Sequence, residues 1–201
     1  MSLQTRRFAR ASDIDTTCAW RGAELARVSM VTRIDLLKEA RDAYRAMAAF
    51  DRSVEFDPAL RELVKIRASQ INGCAYCIDM HTRAARRSRE TEQRIYALAA
   101  WRESPLFSAR ERIALELTDA VTKVADGGVP DGLYRRAADE FSSGELANLI
   151  LAISAINAWN RIAVSTAMVY GEPAGRDVSA EPVGPAADAA CAAQGSTEGR
   201  A

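Results

Sequence analysis

Residues 62–81 read Glu62-Leu-Val-Lys-Ile-Arg-Ala-Ser-Gln-Ile-Asn-Gly-Cys74-Ala-Tyr-Cys77-Ile-Asp-Met-His81. This helix-compatible stretch combines a C-x-x-C pair with a carboxylate and the only histidine of the chain. On an α-helix, which turns by about 100° per residue, Cys74, Cys77 and His81 fall at about 0°, 300° and 340°. The three side chains would therefore share one face about 60° wide. Two thiols that can touch, with an imidazole one turn away, indicate dithiol redox chemistry.

The sequence around the C-x-x-C pair predicts two helices that meet at Gly73. Asp57 is a suitable N-cap and Pro58 a suitable first helical residue, and the helix that they begin is expected to end at Gly73. A second helix is predicted from near Cys74 to about Arg87. Cys74 then lies beside unpaired backbone N–H groups, which can lower the pKa of a thiol from its usual value of about 8.5.

The residues of this stretch, in their order, resemble those of the alkylhydroperoxidase AhpD-like, or carboxymuconolactone decarboxylase-like, family. Redox-active members of that family have a glutamate about a dozen residues before a C-x-x-C pair and a histidine four residues after its second cysteine. Glu62, Cys74, Cys77 and His81 occupy these places. The resemblance implies an all-α, AhpD-like helical bundle with the C-x-x-C pair near a helix N-terminus. It also implies thiol-dependent peroxidase activity with an antioxidant role.

The resemblance extends from roughly Thr32 to Gly171. It includes Asn157-Ala-Trp-Asn-Arg161, a segment that is similar to a recurring one in this subgroup. The sequence leaves open whether that segment shapes the site or an interface. Tyr76 stands where some relatives have a second histidine, so any role of that histidine is absent here.

The implied reaction is reduction of a hydroperoxide by the dithiol, and it needs no organic cofactor or metal. Glu62 and His81 would pass a proton, so that one cysteine reacts as a thiolate. Cys77 is expected to attack the peroxide because it is nearer the imidazole, although the helix terminus could favour Cys74 instead. The sulfenic acid would condense to a Cys74–Cys77 disulfide, which a small thiol, a lipoamide-type carrier or a dithiol protein would reduce.

Several alternatives compete with this interpretation. The two cysteines could be small buried apolar residues, or they could bind zinc together with His81 and Glu62 as the fourth ligand. The same dithiol could serve a disulfide reductase or a redox sensor. A decarboxylase or lactone-type enzyme is implied by the wider family, but such chemistry does not need paired cysteines. A non-enzymatic helical scaffold with a metal clip is the remaining alternative.

Helical periodicity continues through most of the chain, and no alternating strand pattern is convincing. A cap-like Thr32-Arg-Ile-Asp35 is expected to open an amphipathic helix, and capping boxes mark two later starts. The further predicted helices run from Thr91 to Ala100, from Ser108 with Glu111 to Ala125, from Pro130 to Phe141, and from Ser142 with Glu145 to Tyr170, with a stop at Gly171. The sequence thus predicts an all-α domain over residues 32–171. Residues 1–31 and 172–201 are expected to be disordered.

The composition excludes some classes of partner. Lys and Arg together number 27 and so do Asp and Glu, so bulk charge does not attract nucleic acid or an anionic membrane. Neither a signal-peptide core nor an apolar run long enough to span a membrane is found in the sequence. We therefore expect a cytoplasmic protein, in which a C-x-x-C pair is more often catalytic or metal-binding than a structural disulfide.

The predicted helix from Leu146 to Val169 is apolar on nearly all sides and must be buried more completely than a surface helix. It could lie at the centre of one bundle or in contact with other subunits. Its many alanines would allow close approach of helices, and members of the family that it resembles are commonly trimers or hexamers. We therefore expect a homo-trimer or homo-hexamer with this helix partly in the interface.

Overall fold

The computed structural model describes residues 32–169, and the chain is helical throughout this range, without a β-strand. The all-α prediction is confirmed. The described part has eight α-helices and two short 3-10 turns, Leu98–Ala100 and Val124–Asp126. In chain order the helices are α1 (Leu36–Glu39), α2 (Arg41–Ser53), α3 (Pro58–Asn72), α4 (Ala75–Arg87), α5 (Glu92–Ala97), α6 (Ala109–Thr122), α7 (Asp131–Glu140) and α8 (Ser143–Thr166).

Most helix starts follow from local capping chemistry, as the sequence predicted. The Asp57 carboxylate accepts a hydrogen bond from the Leu60 backbone N–H at 2.7 Å, with Pro58 at the first helical position. Complete capping boxes begin α6 at Ser108 and α8 at Ser142. Each box satisfies backbone donors that the first turn of a helix leaves free, which fixes where these helices begin.

The largest differences from the predicted boundaries lie in the first and the last helix. The first helix is interrupted at Ala40, whose backbone (φ −138°, ψ 48°) is not helical, so α1 and α2 are separate. The longest helix ends at Thr166 rather than at Tyr170, because Ala167 adopts a left-handed conformation with φ 53°. The Arg33 backbone N–H donates to the Thr166 carbonyl at 2.8 Å, which caps this end by a contact between distant parts of the chain. The predicted stop at Gly171 and the predicted disorder of 1–31 and 172–201 lie outside the described residues.

Helix α3 is the centre of the bundle and packs against α4, α6 and α8. Its side chains Leu63, Val64 and Ile66 are fully enclosed by a large apolar core. Burying an aliphatic side chain of this size contributes about 1.5–3 kcal/mol each. This packing holds the C-terminal end of α3, where the C-x-x-C pair begins, in a fixed position relative to α8.

Helix α8 has the length and composition of a membrane-spanning helix, but 56% of its most apolar window is buried inside the bundle. It packs on α2, α3, α4, α6 and α7. The other helices of the same chain therefore bury most of the apolar surface of α8 that the sequence predicted to be covered. Leu151 and Val164 remain 41% and 52% exposed on its outer face.

Candidate active site

The two thiols lie at the junction between α3 and α4. Gly73 has φ 66° and ends α3, and the Cys74 N–H closes the turn by donating to the Ser69 carbonyl at 3.0 Å. Cys74 is the N-cap of α4 with an extended backbone, while Cys77 is inside the first turn of that helix. The residues Glu62–His81 therefore form two helices rather than one, and Cys74 does not follow the helical wheel drawn for Cys77 and His81. The turn brings the thiols together instead.

Both cysteines are reduced and only 1% exposed. They belong to a second apolar cluster that also contains Ala68, Ile156 and Trp159. A thiolate in apolar surroundings is destabilised unless hydrogen-bond donors compensate for the lost water. The electrostatics of the pair therefore depend on the few donors that reach the sulfurs.

The two thiols have opposite pKa shifts. The hydrogen bond from the Cys77 thiol is the largest influence on Cys74 and lowers its pKa from 9.0 to about 7, against the effect of burial. The backbone N–H groups of Cys77 and Tyr76 and the Asn160 amide lower the pKa of Cys74 further. The same thiol hydrogen bond, together with burial, raises the pKa of Cys77. The first proton to leave this coupled pair thus leaves the negative charge on Cys74.

A carboxylate–imidazole pair joins α3 and α4, the two helices that meet at the dithiol. The Glu62 Oε2 atom on α3 is 2.8 Å from His81 Nδ1 on α4, and both side chains are largely buried, at 12% and 8% exposure. Burial is the largest influence on the pKa of Glu62 and raises it, but the His81 hydrogen bond and the charges of His81, Lys65 and Arg61 together lower it. Because an ionised carboxylate only accepts hydrogen bonds, Nδ1 is the donor in this contact.

His81 is one turn beyond Cys77 on the same helix, and both side chains are buried. Residues spaced i and i+4 lie on one helical face. The imidazole is therefore on the same side of α4 as the Cys77 thiol, with Glu62 behind it. The four residues that the sequence predicted to form the site, Glu62, Cys74, Cys77 and His81, come from one helix–turn–helix unit.

Polar side chains from α8 connect this unit to the rest of the bundle. Asn160 accepts a hydrogen bond from Asn72 at 2.8 Å and donates one to Ser69 at 2.9 Å. Asn157 accepts from Asn72 at 2.9 Å and donates to Thr122 at 3.0 Å. The recurring 157–161 segment thus lies at the site. The sequence signal for this role was the presence of amides within an otherwise apolar helix.

A buried ion pair lies near the site and was missed by the sequence analysis. Lys65 Nζ lies 2.8 Å and 3.0 Å from the two carboxylate oxygens of Asp51, and both side chains are almost completely buried. Nothing in the sequence marked Lys65 for this role, since a single sequence does not show that α2 folds over this face of α3. The pair keeps a buried cation and a buried anion mutually neutralised beside Glu62.

A shallow, open recess borders one of the two cysteines. Cys77 forms part of its wall, together with aromatic and aliphatic side chains of α2, α4, α8 and the segment after α8: Tyr44, Tyr76, Met80, Trp159, Ala163 and Met168. Tyr44 and Trp159 meet edge to face, with ring centroids 5.2 Å apart. The recess thus has an almost wholly apolar surface that includes the Cys77 side chain.

The zinc alternative requires a tetrahedral set of four converging ligands. Among residues 32–169, no three His, Cys, Asp or Glu side chains come together as a set that could hold a metal ion. His81 directs one ring nitrogen to Glu62, and the two thiols are hydrogen-bonded to each other.

Known proteins resemble this chain in both sequence and fold. The model of the carboxymuconolactone decarboxylase family matches residues 36–120. The uncharacterised protein YdfG of Bacillus subtilis is 42% identical over 135 residues, covering 67% of this chain and 92% of YdfG. A structure from Agrobacterium tumefaciens, of a protein of unknown function proposed to be the antioxidant defence protein AhpD, is 39% identical with a TM-score of 0.69. The alignment covers 71% of this chain and all of that one.

This chain belongs to the AhpD-like, carboxymuconolactone decarboxylase-like family. The fold is also similar to that of an uncharacterised peroxidase-related protein from Ralstonia eutropha with an alkylhydroperoxidase AhpD core. That structure has a TM-score of 0.61 at 18% identity, covering 68% of this chain and 74% of the other. The family includes enzymes, and the AhpD-like fold places the C-x-x-C pair of this member at a helix start.

Proposed function

We propose that this AhpD-like protein is a thiol-dependent peroxidase that reduces hydroperoxides through the Cys74/Cys77 dithiol. The observation that carries the proposal is the combination of a dithiol whose first thiolate forms near neutral pH with a buried Glu62–His81 pair beside it. The first supplies a nucleophile and the second a positioned acid–base group.

The reaction begins with attack of a thiolate on one peroxide oxygen. The O–O bond breaks, the sulfur becomes a sulfenic acid, and the leaving alkoxide takes a proton from the His81 imidazolium to give an alcohol. We assign the attack to Cys77, since this sulfur lines the recess. The Cys77 proton can pass along the existing hydrogen bond to the Cys74 thiolate or to His81, with Glu62 stabilising the imidazolium.

The second half of the cycle restores the thiols. Cys74 displaces water from the Cys77 sulfenic acid, and a Cys74–Cys77 disulfide forms. Two electrons and two protons from a thiol or dithiol reductant, small or protein-bound, then reduce this disulfide by exchange. A cytoplasmic location, where such reductants keep thiols reduced, suits this step.

The walls of the recess favour an organic hydroperoxide over hydrogen peroxide, because almost all of the surface that a substrate meets is apolar. Stopped-flow oxidation of the reduced protein by cumene hydroperoxide and by hydrogen peroxide tests both proposals. We expect loss of two thiols, a mass-mapped Cys74–Cys77 disulfide and faster reaction with the organic substrate. If a model disulfide oxidises the pair faster than either peroxide does, the protein is a disulfide reductase or redox sensor instead.

We also propose that the chain forms a homo-trimer or homo-hexamer through the outer face of α8. Leu151 and Val164 are exposed there, beside the small side chain of Ser154. Light scattering at low micromolar concentration tests this proposal. A mass near the 21.9 kDa of one chain would contradict it.

A further inference from the structure

Asn160 is a buried polar residue in the apolar cluster that surrounds the thiols. Its side chain is 1% exposed and lies on α8, opposite the end of α3. Burying an amide without hydrogen bonds costs about 1–3 kcal/mol. The groups that satisfy this amide therefore explain why an asparagine is tolerated here.

The orientation of the Asn160 amide follows from its neighbours. The Ser69 hydroxyl donates its hydrogen to the Lys65 carbonyl at 2.7 Å, so toward Asn160 it can only accept. The Asn160 Nδ2 atom must therefore be the one that lies 2.9 Å from Ser69 Oγ.

A second chain of contacts reaches the same orientation independently. An arginine can only donate, so Arg161 Nη1, at 3.1 Å, identifies the Asn157 atom that it meets as Oδ1. Asn72 must then offer its Nδ2 to Asn157 at 2.9 Å, and the same Nδ2 donates to Asn160 Oδ1 at 2.8 Å. Rotating the Asn160 amide by 180° would place donor against donor at Asn72.

An amide nitrogen has two N–H groups, and the Ser69 contact uses one of them. Ser69, which accepts the first, also accepts the Cys74 backbone N–H at 3.0 Å through its carbonyl, so the Asn160 amide lies at the turn that carries the thiols. The pKa of Cys74 is set first by the Cys77 hydrogen bond, and the Asn160 amide lowers it further. The pKa of Cys77 is raised first by its bond to Cys74, and the Asn160 amide lowers that one too.

We propose that Asn160 is a further catalytic residue, whose second N–H donates to whichever sulfur carries negative charge, first Cys74 and then Cys77. A neutral donor shared by both sulfurs stabilises the charge at either end and does not trap it at one of them. The transfer of charge during turnover rests on the proposed peroxidase function, whereas the contact with the thiols does not.

The test compares N160A and N160D with N148A, all in a protein in which Cys18 and Cys191 are replaced by serine. Asn148 is on the same helix and donates only to the Gly144 carbonyl at 3.1 Å, so N148A is a matched control. Thiolate absorbance is titrated against pH in each variant, with circular dichroism as a check of folding. Oxidation by cumene hydroperoxide is then measured at pH 7.

We expect N160A to raise the midpoint of thiolate formation by about one pH unit, which lowers the thiolate fraction at pH 7 about fivefold. N160D preserves the size of the side chain, but its carboxylate cannot donate and adds charge, so its midpoint should rise further. Peroxide oxidation should slow by about tenfold or more in both variants. Equal midpoints in N160A and N148A, or a lower midpoint in N160D than in N160A, would overturn the inference. If the midpoints shift as expected but the unmodified protein does not react with hydroperoxides, the proposed function fails and the contact with the thiols stands.

Discussion

Removal of the Cys77 thiol should abolish the low pKa of Cys74. The hydrogen bond from Cys77 is the largest influence that lowers this pKa from 9.0 to about 7. Without it, burial in the apolar cluster opposes the remaining donors, and we expect the Cys74 pKa to return to about 8.5 or above. In C77S the serine hydroxyl still donates, so this variant should fall between C77A and the unmodified pair.

The size of the effect follows from the two pKa values. At pH 7 a thiol with a pKa of about 7 is about half ionised, whereas one with a pKa of about 8.5 is about 3% ionised. The thiolate appears as the pH rises through the pKa, so the largest difference between the variants lies between about pH 7 and pH 8.5. Alkylation by iodoacetamide at pH 7 should therefore be more than about tenfold slower in C77A.

The assay combines thiolate absorbance with the pH dependence of the alkylation rate. Replacement of Cys18 and Cys191 by serine ensures that Cys74 alone is observed in C77A and C77S. At pH values above both midpoints the alkylation rates should converge, which separates a change in pKa from a change in access. A C77A midpoint within half a pH unit of the first midpoint of the unmodified dithiol would refute the reasoning, as would a C77S midpoint above that of C77A.

Three further predictions concern the relay and the fold. His81→Ala should slow peroxide oxidation by about 10²–10⁴-fold in stopped-flow measurements, since it is the only imidazole of the chain, and wild-type rates in this variant would exclude the relay. Lys65→Met should lower the free energy of unfolding by about 3–5 kcal/mol in urea titrations, because Asp51 becomes a buried unpaired charge; near-normal stability would contradict that. Gly73→Ala should cost about 1–2 kcal/mol through its φ of 66° alone, whereas Gly132→Ala, at a helical position without close neighbours, should not destabilise. Equal effects of the two glycine replacements would refute the strain argument.

Local chemistry explains which parts of the fold were predictable. Asp57, Gly73 and Ser108 act on residues within one turn of themselves, so the sequence alone is enough to place these boundaries. The end of α8 was predicted four residues too late. Its termination at Thr166 involves the backbone of Arg33, more than a hundred residues earlier in the chain. A contact between residues so far apart in the chain produces no periodic pattern in the sequence that would reveal it.

The same distinction applies to the site. Glu62, Cys74, Cys77 and His81 lie in one helix–turn–helix unit, so their spacing was enough to predict that Glu62 and His81 come from neighbouring helices joined at the C-x-x-C turn. Asn160, Ser69 and the Lys65–Asp51 pair depend on how α8 and α2 pack against α3. The helical wheel also misjudged how Cys74 reaches its partner, because Gly73 breaks the helix before it. The thiols meet because Cys74 caps the helix that contains Cys77.

The charges around the dithiol explain why neutral donors matter so much here. Lys65 shares its charge with Asp51, and Glu62 is bound to His81, so both nearby charged groups are already paired. The thiolate on Cys74 is therefore stabilised mainly by dipoles: the Cys77 thiol, the backbone N–H groups at the start of α4 and the Asn160 amide. A cation bound directly to Cys74 would lower its pKa more, but it would also hold the charge there and make the sulfur a weaker nucleophile. In the proposed cycle of sulfenic acid and disulfide formation, donors shared by both sulfurs would allow the proton to move between them.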